Sequence, residues 1–156
     1  MGFEERKKIL EGITKEVLEK MNIQANIYVV NDAMPEDDSI YIQIHTKDSR
    51  NLIGRSGANL FALQHIIRAI AAKKIGERVN FTVDVNSYIE NQKEALIEKT
   101  LETIDKVQKT KEPVEMPPMN AYERRIAHMK VAEKSDLETE SIGEGEERRV
   151  IIKPKG

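Results

Sequence analysis

The 156-residue chain contains no cysteine and no tryptophan, and aromatic residues make up only 4% of it. Without cysteine the protein cannot form a disulfide, a thiolate metal site or a cysteine nucleophile. No apolar run in the sequence is long enough to span a bilayer. The first residues, Met1 to Glu5, also lack the apolar segment of a secretory signal. These absences predict a cytoplasmic protein with no membrane insertion.

The net charge of the chain is small, but acidic and basic residues are unevenly distributed along it. The formal net charge is −2, which by itself argues weakly against nucleic-acid binding. Residues 23–46 hold four acids and no lysine or arginine, whereas residues 47–76 hold six lysines and arginines against one acid. A local positive charge of this kind suits a nucleic-acid surface. An ordinary solvated face explains it equally well.

Hydrophobic periodicity predicts a compact first domain of mixed helices and strands. The predicted elements are a helix at 3–21, strands at 24–30 and 39–46 around a turn at 32–38, a short segment at 48–53, a helix at 58–75, a strand at 79–85 and a long helix ending near Thr110. Because helices connect the second and third strands, those two strands should be parallel. We therefore predict an α+β fold with a three-stranded mixed sheet.

A composition break with three prolines follows Thr110. Beyond it, Asn120 and Glu123 predict a capped helix that ends near Glu133, and residues 137–142 and 147–153 predict a hairpin. We expect two domains, one at 1–110 and a small α/β module at 111–156.

The segment from Gly54 to Gly57 reads Gly-Arg-Ser-Gly and lies between two predicted helices. Glycines permit a sharp turn and let a ligand approach the backbone closely. Free amides at the start of the next helix attract phosphate, and Arg55 adds a mobile charge. Taken alone, such a motif is more often a plain turn, but its place after a hairpin and before a long helix favours phosphate binding.

Leu52 to Gly57, in this element order, resembles a KH domain of the prokaryotic topology, a family that binds about four nucleotides of single-stranded RNA or DNA. The resemblance implies that the loop clamps phosphates, that Ile53 lines the groove for the bases, and that three further side chains flank it. The residues so assigned are Ile53, Gly54, Arg55, Ser56, Gly57, Arg50, Gln64 and Arg68. Core packing is the alternative for Ile53.

A second candidate site lies on the helix after Asn120. Arg124 and His128 are four residues apart and share a helix face, with Arg125 beside them. We predict that the two guanidinium groups and the imidazole project together towards phosphate or bases. A separate apolar face should pack the helix down: Tyr122, Ile126 and Met129. A solvated surface is the commoner explanation for such a pair.

The segment from Met119 to His128 resembles the R-three-H domain, which is named for this Arg and His. With the KH-like part, residues 4–155 resemble Jag-type (SpoIIIJ-associated) proteins, which pair these two domains in this order. The resemblance implies cytoplasmic RNA binding, tied to post-transcriptional control of bacterial cell shape and division. It also implies that Arg124, Arg125 and His128 contact RNA. The family usually carries a further N-terminal domain, and this chain begins at the first KH helix.

One segment departs from the Jag pattern. After the third strand the family tends towards Gly-Tyr-Arg, but this chain has Ser87-Tyr88-Ile89 with no arginine. The resemblance therefore gives no basis for an RNA contact by arginine in that segment, which runs to Gln92.

Other classes of function are weaker but stay open. An enzyme is not expected, because the three histidines lie in unrelated contexts and no acid, base and nucleophile converge. No metal or cofactor is predicted. The alternatives are a protein-interaction scaffold with vestigial nucleic-acid binding, and single-stranded DNA binding. A homodimer or a pairing with another KH protein is a further alternative.

Overall fold

A computed structural model of the chain describes residues 1–31 and 40–156. These residues form two compact units, Met1–Ile89 and Glu90–Gly156. The turn predicted at 32–38 lies outside the described residues. Within the part of the chain that the structure describes, no helix is long and apolar enough to cross a membrane.

The first unit has the predicted order of helices and strands. Its elements are α1 (Phe3–Lys20), β1 (Asn26–Asn31), β2 (Ile40–His45), α2 (Ser49–Ile53), α3 (Ala58–Ile75) and β3 (Phe81–Val85). The sheet order is β1-β2-β3, with β1 antiparallel to β2 and β2 parallel to β3. The three-stranded mixed sheet predicted from the sequence is therefore confirmed, and so is the α+β class.

The core of the first unit lies between the helices and one face of the sheet. Alternation along β2 turns Ile40, Ile42 and Ile44 to the same side, where each is at most 2% exposed. Leu60 and Ile67 of α3 are both fully buried in the same cluster. Apolar residues that recur every second position in the strand therefore pack against apolar residues that recur about every 3.6 positions in the helix. This packing fixes the position of the loop between α2 and α3.

The second unit contains one long helix, one shorter helix and a small sheet. Its elements are α4 (Tyr88–Thr110), which begins at the boundary, β4 (Val114–Glu115), α5 (Ala121–Ala132), β5 (Leu137–Ile142) and β6 (Arg149–Pro154). The sheet order is β4-β6-β5 and every pairing is antiparallel. The predicted hairpin is present as β5 and β6. Strand β4 was not predicted, because its two residues are too few to show an alternation of apolar and polar side chains.

The long helix α4 lies mostly in the second unit, which differs from the domain boundary predicted after residue 110. Its buried residues Ile104 and Val107 share a core with Ala127 of α5 and with Val150 and Ile152 of β6. An apolar stripe shows that a helix is packed, but it does not show which core the helix packs against. The structure divides the chain between Ile89 and Glu90 for this reason.

Candidate nucleic-acid interface

The Gly-Arg-Ser-Gly loop has a backbone that only these glycines accommodate easily. Gly54 has a φ of 70° and a ψ of −175°, and Ser56 and Gly57 also have positive φ, at 53° and 79°. A Cβ atom on Gly54 would lie 2.5 Å from Cγ of Asn59. The Asn59 side chain cannot easily move away, because its Nδ2 donates a hydrogen bond to the Asn51 carbonyl oxygen at 2.9 Å. The loop shape is therefore set before any ligand binds.

The tip of the loop presents charge and hydrogen-bond donors to solvent. Arg55 and Ser56 are exposed, whereas Gly57 is buried. The 18-residue helix α3 begins directly after Gly57, and no side chain among the described residues caps its N-terminus. The first amides of such a helix lack partners within the helix and carry a partial positive charge. The Gly57 and Ala58 amides already donate to the carbonyl oxygens of Gly54 and Arg55. An anion at this position would therefore be attracted by the Arg55 guanidinium and by the dipole of α3.

Two aromatic rings leave little room for a side chain at Gly57, the last residue of the loop. A Cβ atom there would lie 3.1 Å from Cε1 of Tyr88 and 3.3 Å from Cε2 of Phe61. Neither ring was predicted to have a role at the loop. The spacing could have indicated Phe61: it lies four residues after Gly57, which places it about one helical turn from the loop.

Two of the predicted groove residues lie as expected beside the loop. Arg50 is exposed on α2, within the helix that leads into Gly54. Ile53 is half-buried and packs against the first core, so it combines a structural position with partial access to solvent. Their contacts with RNA stay predictions.

Gln64 and Arg68 are instead tied to the outer edge of β3. Oε1 of Gln64 accepts a hydrogen bond from the Val83 amide at 2.8 Å. Nη2 of Arg68 donates to the Phe81 carbonyl oxygen at 3.0 Å, and the guanidinium lies 5.5 Å from the centre of the Phe81 ring. Because β3 is an edge strand, these two side chains satisfy backbone groups that would otherwise lack a partner. Both residues are half-buried, and their contact with RNA stays a prediction.

Two of the three predicted residues on α5 are half-buried and form hydrogen bonds within the protein, so they project less freely than expected. Their contact with RNA stays a prediction. Nη1 of Arg124 donates a hydrogen bond to the Met119 carbonyl oxygen at 2.7 Å. The ring of His128 lies between two hydroxyl groups of β5, with Nδ1 2.6 Å from Oγ1 of Thr139 and Nε2 2.8 Å from Oγ of Ser141. Of the three residues, only Arg125 is exposed.

The position of His128 also favours its neutral form. Burial lowers the pKa of His128 below its ordinary value of 6.5, and the nearby Arg124 guanidinium lowers the pKa further. A neutral imidazole has one donor and one acceptor nitrogen, and a hydroxyl can serve either. At neutral pH the ring therefore joins α5 to β5 and offers little charge to a phosphate.

The packing face of α5 also differs from the prediction. Tyr122 and Met129 are 54% and 61% exposed, whereas Ala127 and Val131 are at most 1% exposed. The prediction is therefore wrong for Tyr122 and Met129. The predicted N-terminus is confirmed, because Asn120 and Glu123 form a reciprocal capping box.

Comparison with known families identifies both halves of the chain. The KH domain of the KhpA/KhpB family matches residues 7–83. The R-three-H domain matches residues 94–154. The second match includes most of α4, in agreement with the division of the structure into two units.

Several curated relatives match most of the chain. The "RNA-binding protein KhpB" of Clostridium symbiosum is 31% identical over 141 residues, which cover 90% of this chain and 63% of the relative. The protein of the same name from Bacillus subtilis (strain 168) is 34% identical over 106 residues, which cover 67% of this chain and 51% of the relative. The chain thus spans between half and two thirds of the length of these relatives.

Proposed function

The chain is a protein of the KH plus R-three-H type, and we propose that it binds single-stranded RNA with the Gly54–Gly57 loop against the phosphates. The loop geometry carries this proposal. Gly54 and Gly57 adopt positive φ angles and have no Cβ atoms, so a ligand can approach the backbone of this turn closely. The turn lies at the N-terminus of α3, which no side chain of its N-cap residue caps. The names of the relatives support RNA as the ligand.

The contribution of each loop residue follows from its exposure. Arg55 and Ser56 are exposed at the tip, so a guanidinium and a hydroxyl can both donate to phosphate oxygens. The two glycines let the backbone approach the ligand. Arg50 and Ile53 extend this contact along α2. Gln64 and Arg68 each bond β3 through one atom, and their remaining N–H groups would donate to RNA while those bonds stay in place.

In the second unit, Arg125 is the residue we assign to direct RNA contact. It is exposed on α5, and Tyr122, three residues earlier, is exposed on the same side of the helix. Arg124 and His128 support this contact by fixing α5 against Met119 and β5. A guanidinium beside an aromatic ring suits both phosphate contact and base stacking.

The role in the cell is proposed on the Jag-type resemblance. We infer a bacterial post-transcriptional regulator, linked to cell shape and division, that acts in the cytoplasm on RNA. The proposed activity is binding and involves no catalytic step. Crosslinking in cells followed by sequencing of the bound RNA would test this role, and the absence of enriched transcripts would contradict it.

The RNA-binding proposal is tested by reversing the charge of the loop. Arg55→Asp should weaken binding to a short unstructured RNA by tenfold or more, because a carboxylate would then face the phosphate. Lys73→Asp is the matched control, since it makes the same charge change on an exposed residue near the far end of α3. The control should bind nearly as well as the parent protein.

The outcome separates three readings of the loop. Equal effects of the two substitutions would mean that only net charge matters, which would contradict a clamp at this loop. Unchanged affinity in a folded Arg55→Asp protein would contradict it as well. Equal affinities for RNA and for single-stranded DNA of the same sequence would show that the proposed preference for RNA is wrong.

A further inference from the structure

The loop is flanked by two aromatic rings in a chain that has few of them. Phe61 and Tyr88 both come within about 3.3 Å of the position that a Cβ atom on Gly57 would occupy. The whole chain contains only three phenylalanines and four tyrosines. Two of these seven rings therefore lie beside the residue that closes the proposed phosphate site.

Phe61 belongs to a stripe of three residues along α3, and it is the most exposed of the three. Phe61, Gln64 and Arg68 are separated by three and four residues, so they lie on one side of the helix. Further from the loop, Gln64 and Arg68 are hydrogen-bonded to the edge of β3, so β3 partly covers that end of the stripe. Phe61, one turn from the loop, remains 47% exposed.

The Tyr88 ring lies on the same side of Gly57 as the Phe61 ring, because both approach the position of one Cβ atom. It is half-buried and packs against the core of the first unit. The next residue, Ile89, donates its amide hydrogen to Oδ1 of Asp84 at 2.9 Å, and the Asp84 carboxylate is itself buried. This bond anchors the first turn of α4 and so fixes the backbone from which the Tyr88 side chain extends.

We propose that the exposed Phe61 ring, with the half-buried Tyr88 ring beside it at Gly57, is a stacking platform for the RNA base next to the phosphate held by the loop. This inference rests on the proposed function, because the loop must first bring a nucleotide to Gly57. A sugar-phosphate bound there carries its base beside the loop, where the exposed ring lies. Every base has a π face, so such a platform would accept any of the four.

An RNA base fits this ring better than an apolar protein surface does. The ring lies beside Gly57 at the N-terminus of α3, two residues after the exposed Arg55, and a helix N-terminus and a guanidinium both favour an anionic ligand. A nucleotide has a flat base and an anionic phosphate. The base complements the aromatic ring, and the phosphate complements the positive charge at the loop. Alanine substitution of stacking rings costs about 1–3 kcal/mol per base, which corresponds to a roughly 5- to 150-fold loss of affinity.

The test compares an oligouridine RNA with a sugar-phosphate chain of the same length that lacks bases. Phe61→Ala should weaken binding to the RNA by at least about fivefold and leave binding to the base-free chain unchanged. Phe61→Tyr keeps the ring and should bind the RNA within about twofold of the parent protein, since the stacking face persists. Ile66→Ala is the matched control, because Ile66 is 49% exposed on the same helix but outside the stripe.

Arg55→Asp separates failure of this inference from failure of the proposed function. If it leaves both ligands bound as before, the loop is not a phosphate site and the proposed function fails. If it weakens both while Phe61→Ala weakens neither, the loop binds phosphate and the stacking platform is refuted. Equal losses on both ligands with Phe61→Ala would show that the ring only shapes the loop. A changed sedimentation coefficient with Phe61→Ala would assign the ring to a protein contact and would also refute the platform.

Discussion

Replacement of His128 by alanine is the most informative perturbation of the second unit. In the structure the ring joins α5 to β5 through two short contacts, to the hydroxyl groups of Thr139 and Ser141. Alanine removes both contacts and leaves two partly buried hydroxyls without these partners. We therefore expect a loss of stability and only an indirect effect on RNA binding.

The size of the loss follows from the number of hydrogen bonds and their exposure. A hydrogen bond contributes about 0.5–1.5 kcal/mol net, so two of them contribute roughly 1–3 kcal/mol. Water can reach the site and satisfy part of the lost bonding, because Thr139 and Ser141 are only half-buried. We expect the lower half of that range, about 1–2 kcal/mol. For a unit of this size, each kcal/mol lowers Tm by about 4–8 °C.

Thermal unfolding of the full chain, followed by circular dichroism, measures this loss. Arg125→Ala is the matched control, because it changes an exposed basic residue on the same helix. The control should keep its Tm and lose RNA affinity. His128→Ala should lose Tm and keep most of its RNA affinity at a temperature where it is fully folded. An unchanged Tm together with lost RNA affinity in His128→Ala would show that the imidazole is itself an RNA ligand.

Two further predictions concern His128 and the edge of β3. Because the folded-state pKa of His128 lies below 6.5, the unfolded state binds the proton more readily. Its contribution to stability should be complete above pH 6.5 and lost as the pH falls through the lower folded-state pKa; urea titrations across this range should show no such loss in His128→Ala. Gln64→Ala leaves the Val83 amide without its partner and should cost about 1–3 kcal/mol. If Gln64 only seals β3, RNA titration should give the parent affinity; a tenfold loss would make it an RNA contact.

Local patterns in the sequence were sufficient to predict most of the first unit. The alternation of Ile40, Ile42 and Ile44 follows from the pleat of a strand, and a crossover through helices requires a parallel pair. The capping box of Asn120 and Glu123 spans three residues, so it too is a local signal. Features of this kind depend on neighbours along the chain.

Features that depend on distant partners were not predictable in the same way. His128 meets Thr139 and Ser141 only because β5 folds back against α5. On α5, hydrophobicity favours Tyr122 and Met129 as the packing face, but close approach of the helix to the sheet favours small Ala127, which is fully buried. Gln64 and Arg68 look like groove residues by position, and only the exposed edge of β3 gives them other partners.

The central claim is that RNA phosphates bind at the Gly54–Gly57 loop, and amide chemical shifts test it most directly. We propose to titrate isotope-labelled protein with a short unstructured RNA and to follow the backbone amide signals. The account predicts that the largest shifts occur at residues 54–59, with small shifts at Tyr28, an exposed residue of β1. Large shifts confined to other surfaces, with residues 54–59 unchanged at saturation, would contradict the account.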